Sequence, residues 1–119
     1  MSGSIYYIGC HETKRVKIGF THGRPIDRLA QLQTGSPTPL ALMAVEGGDR
    51  DKERRLHEEF RNHRVHGEWF ALSDELVSRM MLLVMLEAAH RRNLGQEFPR
   101  WVKVGIAAFE DLDVEETSH

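Results

Sequence analysis

Two runs of strand-forming residues separated by a short polar break open the chain: SIYYIG from Ser4 to Gly9, CHETK, then RVKIGF from Arg15 to Phe20. Ile, Tyr, Val and Phe fit a pleated, half-buried surface, and so short a break joins strands as an antiparallel hairpin. Side chains alternate across a strand, so the register decides which face each one takes. If Tyr6 lies opposite Lys17, then Ile5, Tyr7, Val16, Ile18 and Phe20 share one face, and Tyr6, Lys17 and Gly19 the other. A slip of one residue would set Tyr6 beside Ile18, and the pattern leaves that choice open.

The segment RPIDRLAQLQTGSP predicts a helix of about ten residues. Pro25 suits its first position, Asp27 its first turn, Gly35 the position after its end, and Pro37 prevents continuation. TPLALMAVEGG reads as a buried strand bounded by breakers, with Leu and Met leaving a helix open. Asp49 caps a second helix running to about His63, Gly67 breaks it, and EWFAL is a short strand or extended segment. Ser73 caps a third helix, with Asp74 and Glu75 in its first turn and Arg91 and Arg92 in its last, both favourable to the helix dipole. Its middle, MMLLVML, is apolar all round, which fits either a central core helix or a homodimer interface. The expected fold class is α+β, a three-stranded, mainly antiparallel sheet flanked by helices.

The 119 residues make one domain: a core over residues 1–72, a helix over 73–95 completing it or forming an interface, and an extension over 96–119. The stretch from Phe98 to Phe109 would fold back on the core, and the acidic last ten residues are expected to lack fixed structure. One cysteine, Cys10, excludes an intrachain disulfide and fits a reducing, cytoplasmic setting. No basic-then-apolar leader and no membrane-length apolar run is visible. The formal net charge of −2 argues against a strongly basic coat, yet Met1 to Phe70 holds 11 Lys and Arg against 9 Asp and Glu. The rest holds 5 against 9, so a polyanion would meet the first seventy residues.

At this point the residues carry a resemblance. The chain resembles the GIY-YIG nuclease superfamily, whose pattern is a GIY triplet, about ten residues, a YIG triplet, an arginine on the next helix and a glutamate on a later one. Were Tyr7-Ile8-Gly9 the second triplet, the first would fall before Met1. Ser4-Ile5-Tyr6 and Lys17-Ile18-Gly19, ten residues apart, fit instead. LQTGSP and GEWF resemble the branch of small phage, bacterial and fungal members. The departures are Ser4 for glycine and Lys17 for tyrosine, the latter shared with some restriction-type members.

The resemblance implies a GIY-YIG-like fold and a metal-dependent endonuclease that hydrolyses DNA phosphodiester bonds by direct water attack, with RNA as the other candidate substrate. Tyr6 would deprotonate or orient the water, and Lys17 beside it would favour the charged phenol or hold a phosphate. Arg28 would offer its fork to the scissile phosphate. Arg24, one turn earlier, is the competing candidate; Arg24, Lys14 and Arg15 would otherwise contact the nucleic-acid backbone. Glu53 would hold one Mg²⁺ or Mn²⁺. On its helix Glu53, Leu56, His57 and Phe60 share the one apolar face, so that carboxylate must find a cation: a metal or a nearby arginine. His57 would orient a ligand or touch phosphate. The bland readings are a packed strand tyrosine at 6, a solvated lysine at 17, and Arg28 paired with Asp27 or Gln31. Zinc at His57, His63 and His66 is disfavoured, because His57 and His63 lie on different helix faces. Trp69 and Phe70 read as core, with a base-stacking platform at Trp69 as the alternative. Two further readings of the whole chain remain, a non-catalytic nucleic-acid-binding module and a dimerising interaction protein.

Overall fold

A run of apolar residues without a polar face, Ile5-Tyr6-Tyr7-Ile8, belongs in the middle of a sheet, where both faces are covered. The computed structural model, which describes the backbone of residues 3–117 and the side chains of residues 3–108, places it there. In chain order the elements are β1 (Gly3–Cys10), β2 (Arg15–Thr21), α1 (Pro25–Thr34), β3 (Leu40–Gly48) and α2 (Arg50–Glu59). A 3-10 turn (Arg61–His63), β4 (Arg64–His66), β5 (Trp69–Ala71), α3 (Asp74–Leu94) and α4 (Arg100–Thr117) follow. The sheet order is β3-β1-β2-β5-β4 with every neighbouring pair antiparallel.

The sheet thus has five strands and not the three expected from sequence. The expected trio is present as β3-β1-β2. The two additions are three residues each, too short for alternation to register. β5 pairs with the first half of β2, Arg15 to Lys17, and leaves the second half of that edge to other elements.

The hairpin register also differs from expectation: Tyr6 lies opposite Gly19, and Lys17 lies opposite Ile8. The four-residue turn spans His11 to Lys14, one position later than a pairing of Tyr6 with Lys17 requires; Lys14 takes the left-handed conformation (φ 56°) and Cys10 pairs directly with Arg15. A shift of two residues preserves the faces, so Ile5, Tyr7, Val16, Ile18 and Phe20 still share one. That face forms the core with Leu56 and Phe60 after and on α2, Phe70 of β5, and Leu76 and Met80 of α3.

Helix ends follow their sequence signals. Pro25 opens α1, the Asp49 side chain accepts from the Lys52 N–H, and the Ser73 hydroxyl accepts from the Leu76 N–H. The Lys52 bond holds the Asp49 carboxyl below its ordinary range. α3 buries Leu76, Met80, Val84 and Ala88, whereas Leu82, Met85 and Leu86 stay more than half exposed. α4 closes on α3 through Val102, and a Cβ at Gly105 would come within 2.6 Å of the Val84 side chain. The expectation for the last ten residues lies, in its side chains and final two positions, outside the described residues. Among the described residues no helix is long and apolar enough to cross a membrane.

One buried polar cluster was not anticipated. The Tyr7 hydroxyl donates to Glu46 Oε2 at 2.5 Å, Arg79 donates to both Glu46 oxygens, and Lys52 Nζ lies 2.8 Å from Glu46 Oε1. The cluster joins β1, β3, α2 and α3. Burial alone would raise the Glu46 pKa, but the bonds from Lys52, Tyr7 and Arg79 outweigh it and hold the carboxyl below 4.5. Burial first, and then the bond to Glu46, push the Tyr7 phenol well above its ordinary value.

A carboxyl depressed in the folded state contributes stability above its unfolded pKa and loses it as pH falls. Wild-type unfolding free energy should therefore decline between about pH 6 and about pH 3 more steeply than that of Glu46→Gln, measured by urea titration. At neutral pH, Glu46→Ala should cost about 3 kcal/mol, because Arg79 and Tyr7 lose their partner.

Candidate functional site

The face of the β1–β2 ribbon turned away from the core carries Tyr6, Ile8, Lys17 and Gly19. Tyr6 crosses its neighbour strand. A Cβ built at Gly19 would lie 2.2 Å from the Tyr6 hydroxyl and 2.3 Å from Cζ, so the phenol rests directly over the Gly19 backbone. Only glycine leaves that space. Tyr6 is 1% exposed, so the phenol is almost wholly covered.

α1 brings the arginine. Arg28 Cζ stands 6.0 Å from the Tyr6 ring centroid, and its guanidinium donates to Gln31 Oε1 at 2.5 Å. Arg24, one turn earlier, is exposed and forks onto Asp27 at 3.0 and 3.2 Å. Of the two competing arginines, Arg28 is the one beside Tyr6.

α2 brings the carboxylate along the part of the β2 edge that β5 leaves open. Arg50 lies 5.2 Å from the Phe20 ring, and His57 Nε2 donates to the Ile18 carbonyl at 2.8 Å. Glu53 falls between them, three residues after Arg50 and four before His57, on the same helix face. Glu53 therefore lies on the helix face that Arg50 and His57 bring to the Ile18–Phe20 stretch of β2, which includes Gly19. Glu53 is 8% exposed, and the ion pairs among the described residues leave it out. Its helix neighbours Asp51 and Glu58 are paired with Arg54 and Arg61.

Lys17 is not opposite Tyr6. Its ammonium pairs with Glu68 Oε2 at 2.9 Å and stands 5.8 Å from the Trp69 ring centroid. A lysine two positions along the paired strand remains a diagonal neighbour of Tyr6, so its field reaches the phenol while its hydrogen bonds go to Glu68. Lys14 projects from the hairpin turn, exposed, and Arg15 lies half-buried opposite Cys10. The histidines separate: His57 is tied to Ile18, His63 pairs with Glu75 at 3.2 Å, and His66 belongs to β4. Among the described residues no three His, Cys, Asp or Glu side chains gather to hold a metal. A single carboxylate completed by water and substrate phosphate is a different kind of site, and Glu53 fits it: nearly buried, without a cation partner, open on one side.

The Cys10 thiol, on this same face, is lowered to about 7, chiefly by a hydrogen bond from Thr13 and then by Thr38. Its Sγ lies 3.2 Å from Thr38 Oγ1. Sequence reasoning passed over this thiol except as a compartment marker.

The Tyr6–Gly19 contact makes a stability test. Gly19→Ala should cost about 1–3 kcal/mol through overpacking against the phenol. Adding Tyr6→Leu should restore part of that loss, and strictly additive denaturation free energies would refute the contact.

Among known families, residues 3–85 match the T5orf172 domain. No curated protein and no solved structure matches the chain. The matched span takes in the whole sheet, the Tyr6–Arg28–Glu53 group and the first half of α3, and stops short of α4. The chain therefore belongs to the T5orf172 domain family, a nuclease-like family related to the GIY-YIG group.

Proposed function

We propose that this chain is an endonuclease that hydrolyses phosphodiester bonds in DNA with a divalent cation, by direct attack of water. What supports the reading is that the Tyr6 hydroxyl lies over the Gly19 backbone, Arg28 stands beside the Tyr6 ring, and Glu53 is on the α2 face brought to the Ile18–Phe20 stretch of β2.

In the proposed reaction Arg28 releases Gln31 and takes the scissile phosphate in its planar fork, stabilising negative charge as it builds on the non-bridging oxygens. Tyr6 orients the attacking water by accepting a hydrogen bond from it at the phenolic oxygen, and the water's proton leaves to solvent. Lys17, diagonal to it and paired with Glu68, would meet a phosphate on this face. His57 acts by position: its bond to the Ile18 carbonyl pins α2, and with it Glu53, to β2. Glu53 would hold Mg²⁺ or Mn²⁺, which when bound neutralises phosphate charge. Lys14, Arg15 and Arg24, all on or beside this face, would meet flanking phosphates.

A second reading, binding without cleavage, draws on the near-complete burial of Tyr6 and on the Lys17–Glu68 pair, which together leave the phenol little room to meet water. Nicking of a supercoiled plasmid in Mg²⁺ against EDTA separates the two. The nuclease reading requires nicking by the wild type, none by Glu53→Ala, and a loss of about 10²–10³ in rate for Arg28→Ala. Salt-sensitive DNA binding should survive in Glu53→Ala. Wild-type cleavage by Glu53→Ala would remove the mechanism, and binding without any metal-dependent nicking would leave only the second reading.

A further inference from the structure

Along the same sheet face, a cavity of about 500 Å³ opens beyond Lys17, lined among others by Arg15, Gln31, Leu32, His66 and Trp69, with Cys10 at the sheet. The strand register places it. Four residues separate Tyr6 from Cys10 on β1 and Gly19 from Arg15 on β2, with Tyr6 paired to Gly19 and Cys10 to Arg15. At the rise of an antiparallel strand that is about 13 Å, a distance that a few nucleotides span. Trp69 pairs with Lys17 and so shares this face, with the Lys17 ammonium on its ring and the cavity beside it.

The cavity's polar groups divide into committed and available. The Ser36 hydroxyl donates to the Thr38 carbonyl at 2.8 Å and accepts from the Thr38 N–H, and Thr38 Oγ1 faces Cys10. These hydroxyls shape the loop. Gln31 is different: its Oε1 accepts from Arg28, which leaves the amide N–H groups at the cavity as donors. Arg15 supplies positive charge at the rim. An aromatic ring, a donor amide and a rim arginine in a cavity of this size form a site for a flat, acceptor-bearing ring attached to an anionic backbone.

We infer that this cavity receives one unpaired nucleobase of the nucleic-acid substrate, stacked on Trp69, with a base carbonyl accepting from the Gln31 amide and the adjoining phosphate meeting Arg15. The inference rests on the reading that this face meets nucleic acid, and it adds a substrate class: a single strand, a frayed end or an extruded nucleotide. A fully paired duplex keeps its bases in the stack and cannot fill the cavity. Because Gln31 bonds Arg28, occupancy of the base site bears directly on the arginine beside Tyr6, so the cavity reads an unpaired base where the phosphate is to be held.

The test uses the full chain with Trp101→Phe, which makes Trp69 the sole tryptophan, in EDTA so that no strand is cut. Its probes are a mixed-sequence single-stranded oligonucleotide, an equally long abasic strand, and the paired duplex. Base stacking predicts quenching of Trp69 fluorescence by the single strand alone, and tighter binding of it than of the abasic strand. Trp69→Leu, and independently the surface change Gln31→Ala, should each weaken single-strand binding, the former about tenfold, and leave abasic-strand affinity unchanged. Equal quenching by the abasic strand, equal loss on both strands, or preference for the duplex would overturn the inference. Base-dependent binding by a protein that never nicks would sustain this site and retire the nuclease reading; nicking without base-dependent binding would do the reverse.

Discussion

The missing side chain at Gly19 is the constraint around which the candidate site is built. β1 runs through the middle of the sheet with both faces covered, so a polar tip on it must find either a core partner or a gap. Tyr7 finds a partner in Glu46; Tyr6 finds a gap, lying across β2 at the one position without a Cβ. Adjacent tyrosines on one strand thus have opposite fates. One phenol is locked as a hydrogen-bond donor in the core, and the other is carried to the place where α1 and α2 approach from two sides.

That division gives the two sheet faces different tasks. On the core face, Glu46 draws Tyr7, Arg79 and Lys52 together, and Lys52 also donates to the Gly47 carbonyl at 2.9 Å. Lys52 immediately precedes Glu53, so the buried cluster fastens the start of α2 to β3 while His57 fastens its later turn to β2. A carboxylate held at both ends of its helix is pre-organised, which is what a site needs from its supporting shell. On the opposite face Tyr6 and Ile8 are covered, while Lys17, Arg15, Trp69 and Arg28 are partly exposed. The candidate site is therefore an edge feature of a firmly tied core.

Much of this was legible from residue pattern. Helix boundaries followed Pro25, Asp49 and Ser73, because caps and first-turn residues act through local hydrogen bonds. The alternation in Ser4–Phe20 set the faces of the hairpin correctly even though the register did not, since a shift of two residues leaves every side chain on its side. Arg28 and Glu53 were singled out by the family resemblance, and the helix-face pattern placed Glu53 on the apolar face of α2. The five-residue polar break, however, does not reveal that Lys14 adopts a left-handed turn, and so Lys17 was set opposite Tyr6 when it pairs with Glu68.

What the linear chain determined was local: which segments are strands or helices, where they stop, and which residue types are available for phosphate and metal chemistry. What only the tertiary structure decided was who meets whom across long separations. The Tyr7–Glu46 bond spans 39 positions and the Glu46–Arg79 pair 33, and neither leaves a periodic trace. β5 exists because the open edge of β2 offers it a partner, and β4 because β5 does, not because three residues specify a strand. Spacing rules act within a turn or a pleat; the approach of α2 to β2, and the pairing of Trp69 with Lys17, depend on packing distances that no local rule encodes.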